Sequence, residues 1–153
     1  MINFARVDDR LIHGQIVQGW LPKLNVEEIV LAVGKIDPLQ STLMRMSLPD
    51  EYGLQILSIP KASAYIAQSD KKIFLLMREV ETAYELIELG AEIKELNIGG
   101  LHYRDGRDKI LDDVYISPDE KILLKDIYSR GIVIDGRSVP NEIKKDLKGI
   151  LCS

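Results

Sequence analysis

The stretch FARVDDRLIHGQ, residues 4–15, passes from a strand-like run of apolar residues into the start of an amphipathic pattern. The first part predicts a buried strand over residues 3–7, and the end predicts a helix over residues 14–21. The loop between them holds two arginines, two aspartates and one of the two histidines of the chain. A strand that leads through a short loop into a helix is the repeating unit of a parallel sheet.

The same alternation continues to the end of the chain. Further strands, rich in Ile, Val and Leu, are predicted at 28–33, 54–59, 72–77, 95–98 and 131–134. Helices are predicted at 38–46, 62–67, 81–89, 118–128 and 140–151, several of them with proline in the first turn or glycine after the last. The pattern predicts an α/β fold: an open, twisted, mostly parallel β-sheet with helices on both faces. Residues 99–116, with a tight turn at 103–107, predict one antiparallel excursion.

Composition narrows the class of protein. A chain of 153 residues fits one domain, residues 1–153, and its net charge of −4 argues against a nucleic-acid binder. The single cysteine, Cys152, allows no intrachain disulfide and favours a reducing compartment. The longest apolar runs, 29–33 and 73–77, have five residues each, far below the ~20 that cross a bilayer. We therefore expect a cytoplasmic protein that inserts in no membrane and reaches one only through partners.

The loop after the first strand contains the residues best suited to chemistry. His13 is the candidate nucleophile, because a neutral imidazole offers a free lone pair near neutral pH. Arg6 and Arg10 could supply planar forks of N–H donors to a phosphoryl group. The backbone amides of Gly14 and Gln15 open the following helix and could supply further donors. Gly14 would also let a partner approach without a side chain in the way.

Asp8 and Asp9 are expected to hold the arginines or to orient the imidazole. Ordinary explanations also exist, since a lone histidine at a helix start is often a cap and an Asp-Asp-Arg run often forms a solvated loop. His102, which follows the pair Gly99-Gly100, is a weaker candidate site. The sequence contains neither a dinucleotide-binding glycine motif nor a Walker loop, and too few cysteines and histidines for structural zinc. No cofactor and no metal are expected.

The segment from Arg6 to Gln15 closely resembles the active-site motif of the IIB component of the mannose–fructose–sorbose family of phosphoenolpyruvate-dependent sugar phosphotransferase systems, which includes N-acetylgalactosamine members. That motif reads Arg, aliphatic, Asp, Asp or Glu, Arg, Leu, aliphatic, His-Gly-Gln, and a tryptophan follows it as Trp20 does here. Residues 96–100, 114–120 and 130–140 also resemble family segments. Residues 32–37 depart from the family, which usually has Asn-Asp after the second strand.

The resemblance implies a phosphocarrier enzyme, a protein-Nπ-phosphohistidine–sugar phosphotransferase. His13 would take phosphate on Nδ1 from a histidine of a IIA protein and pass it to a sugar held by the IIC and IID membrane components. Arg6 and Arg10 would stabilise the phosphoryl group, and Asp8 would order the loop. The protein would work at the inner face of the membrane. The identity of the sugar is left open.

Two other functions compete with this interpretation. A regulatory phosphoprotein could keep the fold after losing the sugar pathway. A histidine phosphatase also phosphorylates a histidine at a strand end, but its motif has arginine directly before that histidine, where this chain has Ile12. It also needs a second catalytic histidine, a role for which His102 is the one remaining candidate.

Overall fold

A six-stranded parallel sheet forms the centre of the computed structural model, which describes residues 1–152. Its strands are β1 (Ile2–Asp8), β2 (Glu28–Ala32), β3 (Gly53–Leu57), β4 (Ile73–Met77), β5 (Glu95–Gly100) and β8 (Val133–Asp135). They lie in the order β3-β2-β4-β1-β5-β8, which places β1 between β4 and β5. A separate antiparallel hairpin pairs β6 (Asp108–Leu111) with β7 (Val114–Ile116).

Helices cover both faces of the sheet. They are α1 (Pro38–Ser47), α2 (Ile59–Gln68), α3 (Val80–Glu88), α4 (Pro118–Ser129) and α5 (Lys148–Leu151). The segment after the β1 loop is a π-helix, Gln15–Trp20, that continues as one 3₁₀ turn, Leu21–Lys23; we call these two together the first helical segment. No helix within residues 1–152 has the length and apolar character needed to cross a bilayer.

Alternating side chains of the strands divide the core into two layers. Leu75 and Met77 of β4 join the layer that packs against α2, α3, α4 and α5. Phe74 and Leu76 point to the other face, where the first helical segment and α1 supply Trp20 and other apolar side chains. Burial on both faces explains why these strands read as continuous apolar runs.

The predicted fold class is confirmed. Asp37 and Ser117 cap α1 and α4 through their side chains, each ahead of a proline in the first turn. Gly90 and Gly131 follow α3 and α4 with φ of 101° and 85°, the left-handed conformation of a helix C-terminus.

The prediction of a long last helix over residues 140–151 was wrong, because only Lys148–Leu151 is helical. The amides ahead of it bond to the sheet edge instead: Lys145 N donates to Asp135 Oδ1 at 3.0 Å, and Leu147 N donates to the carbonyl of Ile134 at 2.9 Å. These bonds use donors that a helix would have needed.

Two further local predictions need correction. The helix expected over residues 14–21 is π-helical and ends in a 3₁₀ turn at Pro22, which has no N–H to continue a regular ladder. The turn expected at 103–107 exists, with Arg107 N donating to the carbonyl of Arg104 at 3.0 Å. It does not close the antiparallel hairpin, whose two strands are joined by Asp112 and Asp113.

Candidate phosphoryl-transfer site

The carboxyl ends of β1 and β5 lie side by side and carry the loop that the sequence singles out. Asp8 pairs with Gly100 across the two strands, and Asp9 N donates to the Gly100 carbonyl at 2.9 Å. A Cβ on Gly100 would lie 2.3 Å from the Asp8 carboxylate, so glycine leaves the room that the carboxylate occupies. Ligand sites of open α/β sheets form at this edge.

The fully buried carboxylate of Asp8 joins three side chains. Its Oδ2 accepts from Arg6 Nη2 at 3.0 Å and lies 2.8 Å from Nε2 of His13, while its Oδ1 accepts from Arg10 N at 3.0 Å and Arg10 Nε at 3.3 Å. Burial alone would raise the pKa of Asp8. The hydrogen bond from His13, the charge of Arg6 and the Arg10 amide outweigh burial and hold that pKa well below its usual value.

This arrangement assigns the tautomer of the His13 ring. An ionised carboxylate only accepts, so the neutral ring must carry its hydrogen on Nε2, facing Asp8. The other nitrogen, Nδ1, then holds the lone pair, and the backbone N–H of Gln15 points at it from 3.3 Å. This lone pair therefore lies at the Gln15 amide, which opens the first helical segment.

Arg10 and Gly14 lie on either side of His13 in the sequence. Arg10 is 38% exposed, and its Nη2 donates to Gln15 Oε1 at 2.9 Å, so its guanidinium lies at the open side of the loop. Gly14 has φ of −52°, and an added Cβ would meet no atom within 4 Å. Neither backbone conformation nor space within the chain requires glycine here.

Arg6 bonds to the same carboxylate as Arg10, but from inside the protein. It is fully buried, and its guanidinium donates to Asp8, to Asn97 Oδ1 at 2.6 Å and to the carbonyl of Arg137 at 3.2 Å. Its Cζ atom also lies 5.4 Å from the centre of the Trp20 ring. The sequence predicts phosphate binding by Arg6, but these contacts direct its donors into the protein, so we treat it as a positioning residue.

His102 belongs to a second cluster, centred on Asp9. Asp9 accepts from His102 N at 2.8 Å, and its Oδ1 lies 2.6 Å from His102 Nδ1. Arg107 donates to the carbonyl of His102 at 2.8 Å and forms two 2.9 Å bonds to the buried carboxylate of Glu120. Asp9 therefore connects the site loop to the α4 start, as a loop-ordering residue would.

Leu11 gives the loop its unusual shape. Its φ is +59°, in a backbone region that residues other than glycine rarely adopt, and its side chain is fully buried. Its N–H donates to the carbonyl of Asp8 at 3.0 Å and closes a turn over Asp8, Asp9 and Arg10. This conformation costs about 1–2 kcal/mol and is held by the packing of the leucine.

Two buried polar residues close to the loop, Asn97 and Asp135, are not among the site residues that the sequence predicts. Asn97 and Asp135 are fully buried, and Asn97 Nδ2 donates to Asp135 Oδ2 at 3.0 Å. The signal was present in the strand ELNIGG, because a polar residue inside a buried strand needs a partner. Within residues 1–152, no group of three His, Cys, Asp or Glu side chains is arranged to hold a metal.

Comparison with known proteins places the chain in a family. The family model described as "PTS system sorbose subfamily IIB component" matches residues 2–153. The chain belongs to this family. It is thus a IIB component of a sugar phosphotransferase system, a transferase that carries phosphoryl groups.

Individual relatives are distant in sequence and close in structure. The sorbose-specific EIIB component of Lacticaseibacillus casei is 28% identical over 152 residues, covering 96% of this chain and 93% of that protein. The crystal structure of the sorbose permease IIB domain of Klebsiella pneumoniae superposes with a TM-score of 0.90 at 28% identity, covering 96% and 93% of the two chains. That of the N-acetylgalactosamine-specific IIB component 1 of Escherichia coli also gives 0.90 at 28% identity, covering 95% and 99%.

Proposed function

We propose that His13 accepts a phosphoryl group on Nδ1 from a IIA phosphohistidine and passes it to a sugar at a IIC/IID membrane complex. The observation that carries this proposal is the 2.8 Å contact of Nε2 with Asp8, which leaves the Nδ1 lone pair facing the Gln15 amide. Membership of a phosphotransferase family supports the class of reaction.

In the first step, the lone pair of Nδ1 forms a bond to phosphorus as the N–P bond of the donor histidine breaks. The transition state is loose and needs positioning and charge neutralisation more than proton transfer. The Gln15 N–H turns from Nδ1 to a phosphoryl oxygen, and Arg10, already beside Gln15, neutralises charge from the open side. The phosphorylated ring keeps its hydrogen on Nε2, and its positive charge faces the Asp8 carboxylate.

In the second step, a sugar hydroxyl oxygen bonds to phosphorus while the Nδ1–P bond breaks. The electron pair of that bond returns to Nδ1, and the hydroxyl proton is lost to solvent or to a base on the membrane partner. His13 then has the tautomer with which it began. Asp8 is ionised before and after this cycle, because the contacts of His13, Arg6 and the Arg10 amide outweigh burial and lower its pKa in the unphosphorylated protein.

The surface around His13 suits partners that approach the ring directly. A groove of about 370 Å³ beside His13 runs along α1, and Leu43 and Met46 of that helix are more than half exposed. Phosphoryl transfer requires near contact of the reacting atoms, so the IIA protein and the IIC/IID complex must each cover His13 and cannot bind together. The protein would thus work at the inner face of the membrane through these partners.

Incubation with a phosphorylated IIA partner tests the proposal. The wild-type protein should gain one acid-labile, base-stable phosphate on His13, and His13→Ala should fold normally and gain none. His102→Ala is the matched control and should gain phosphate as the wild type does. Phosphate on His102 or on a serine would refute the assignment.

The sugar step needs a separate test. Pre-phosphorylated protein should phosphorylate a sugar in membranes that contain IIC and IID, and an excess of IIA should inhibit this transfer. If both partners bound together while His13 remained reachable, the shared surface would be wrong. Phosphorylation of His13 with no transfer to any sugar would favour the regulatory alternative instead.

A further inference from the structure

We infer that Asn97 is a positioning residue for His13, acting through Arg6 and Asp8. The inference rests on the proposed role of His13 as phosphate acceptor. It assigns a purpose to the buried polar residue of β5 that the transfer steps themselves do not use.

The side-chain amide of Asn97 has four partners, which together fix its orientation. Its Oδ1 accepts from Arg6 Nη1 at 2.6 Å and from Gly99 N at 3.2 Å. Its Nδ2 donates to Asp135 Oδ2 at 3.0 Å and to the carbonyl of Arg137 at 2.9 Å. A flipped amide would put oxygen against two acceptors and N–H groups against two donors, so only one orientation satisfies the buried groups.

Arg6 transmits this orientation to the site. Its guanidinium is planar, so the position of Nη1 at Asn97 sets the position of Nη2 and Nε at Asp8 Oδ2. The same Oδ2 atom holds Nε2 of His13 at 2.8 Å. A displacement of the guanidinium would therefore move the atom that fixes the imidazole.

The neutrality of Asn97 is part of its role. A carboxylate at this position would compete with Asp8 for the charge of Arg6 and would face Asp135, which is itself ionised in a buried place. An amide oxygen orients the guanidinium and leaves its charge to Asp8. Asparagine thus does what aspartate could not.

The glycine after Ile98 provides the space for this network. A Cβ on Gly99 would lie 1.8 Å from the Arg137 carbonyl oxygen and 2.9 Å from Arg6 Nη1. The close approach lets the Arg137 carbonyl accept from both Arg6 and Asn97. The Asn-Ile-Gly-Gly segment is therefore a platform on which Arg6 and Asp8 are placed.

The test compares Asn97→Ala with Glu28→Gln. Glu28 is an equally buried polar residue that bonds to Tyr65 and Lys71, and it starts β2 at the opposite end of the sheet. The first measurement is the tautomer of the His13 ring in alkaline buffer, read from long-range ¹⁵N–¹H correlations of ¹⁵N-labelled protein. The second is the rate of phosphate acceptance from a phosphorylated IIA protein.

We expect the wild type and Glu28→Gln to hold a single Nε2–H tautomer and to accept phosphate at similar rates. Asn97→Ala should populate both tautomers and accept phosphate at least tenfold more slowly. A folded Asn97→Ala with the wild-type tautomer and rate would overturn the inference. If the wild type accepts no phosphate, the proposed function fails, and the tautomer comparison still decides the role of Asn97.

Should Asn97→Ala not fold, a substitution at the other end of the network, His13→Ala, decides the question. His13→Ala removes a partly exposed ring and should leave the fold intact. Loss of that ring should shift the NMR signals of the Asn97 side-chain amide and of Arg6 Nε–H, because Asp8 links them. Unchanged signals would overturn the inference.

Discussion

Replacement of Asp8 by asparagine tests the central contact of the site. Asp8→Asn preserves shape but removes the buried negative charge that faces Arg6, Arg10 and His13, and its amide NH₂ must point at one of these donors. Loss of one partner of a buried ion pair costs about 3–5 kcal/mol. Because asparagine keeps one acceptor, we expect the free energy of unfolding at neutral pH to fall by about 3 kcal/mol. For a chain of this size that lowers Tm by about 6–12 °C.

The effect should depend on pH in a defined direction. The pKa of Asp8 is lower in the folded protein than its ordinary value of 3.8. The stability it contributes is therefore fully present above that value and is lost as pH falls through the lower, folded-state pKa. The asparagine side chain does not titrate. The difference in free energy of unfolding between wild type and variant should therefore narrow as the pH falls below about 4.

Urea unfolding from neutral pH to pH 3 measures both effects. Asp112→Asn is the matched control, because its carboxylate is 97% exposed and pairs with Lys109 at the surface. We expect that control to lie within about 0.5 kcal/mol of the wild type. Equal stability of Asp8→Asn and wild type at neutral pH would refute the reasoning, as would a gap that acidification leaves unchanged.

Three further outcomes are expected. Arg10→Lys should slow phosphate acceptance at least tenfold, about 1.4 kcal/mol of barrier, with little change in Tm, because lysine lacks the planar fork of N–H donors. A large fall in Tm with an unchanged transfer rate would make Arg10 a structural residue. Gly100→Ala should lower Tm, because its Cβ would overlap the Asp8 carboxylate. Gly14→Ala should keep the wild-type Tm and slow transfer from IIA. Equal Tm values for the two variants would contradict this prediction. Glu142→Gln should lower the free energy of unfolding by less than about 1 kcal/mol above pH 4.5. The hydrogen bond from Lys145 is the main reason that the pKa of Glu142 is lowered to about 2, and solvent screens this pair because the Lys145 and Glu142 side chains are 40% and 28% exposed. The difference should fade between pH 4.5 and 2 in acid unfolding.

The sequence was sufficient for those features that depend on local pattern. Apolar runs such as 73–77 identify strands buried on both faces, and the prolines at 38 and 118 mark helix starts correctly. The last helix was overpredicted because Asp135 and the Ile134 carbonyl, distant in sequence, accept the amides of Lys145 and Leu147. A local pattern cannot register acceptors that only the folded chain brings near.

The candidate site divides in the same way. The sequence by itself determined which residues cluster in the loop, because Asp8, Arg10 and His13 are neighbours in the chain. Only the tertiary structure decided the contacts of Arg6: β1 and β5 meet side by side, so Asn97 holds Arg6, whose donors turn inward. The physical reason is that a hydrogen bond depends on distance and direction in space, and 91 residues separate Arg6 from Asn97 along the chain.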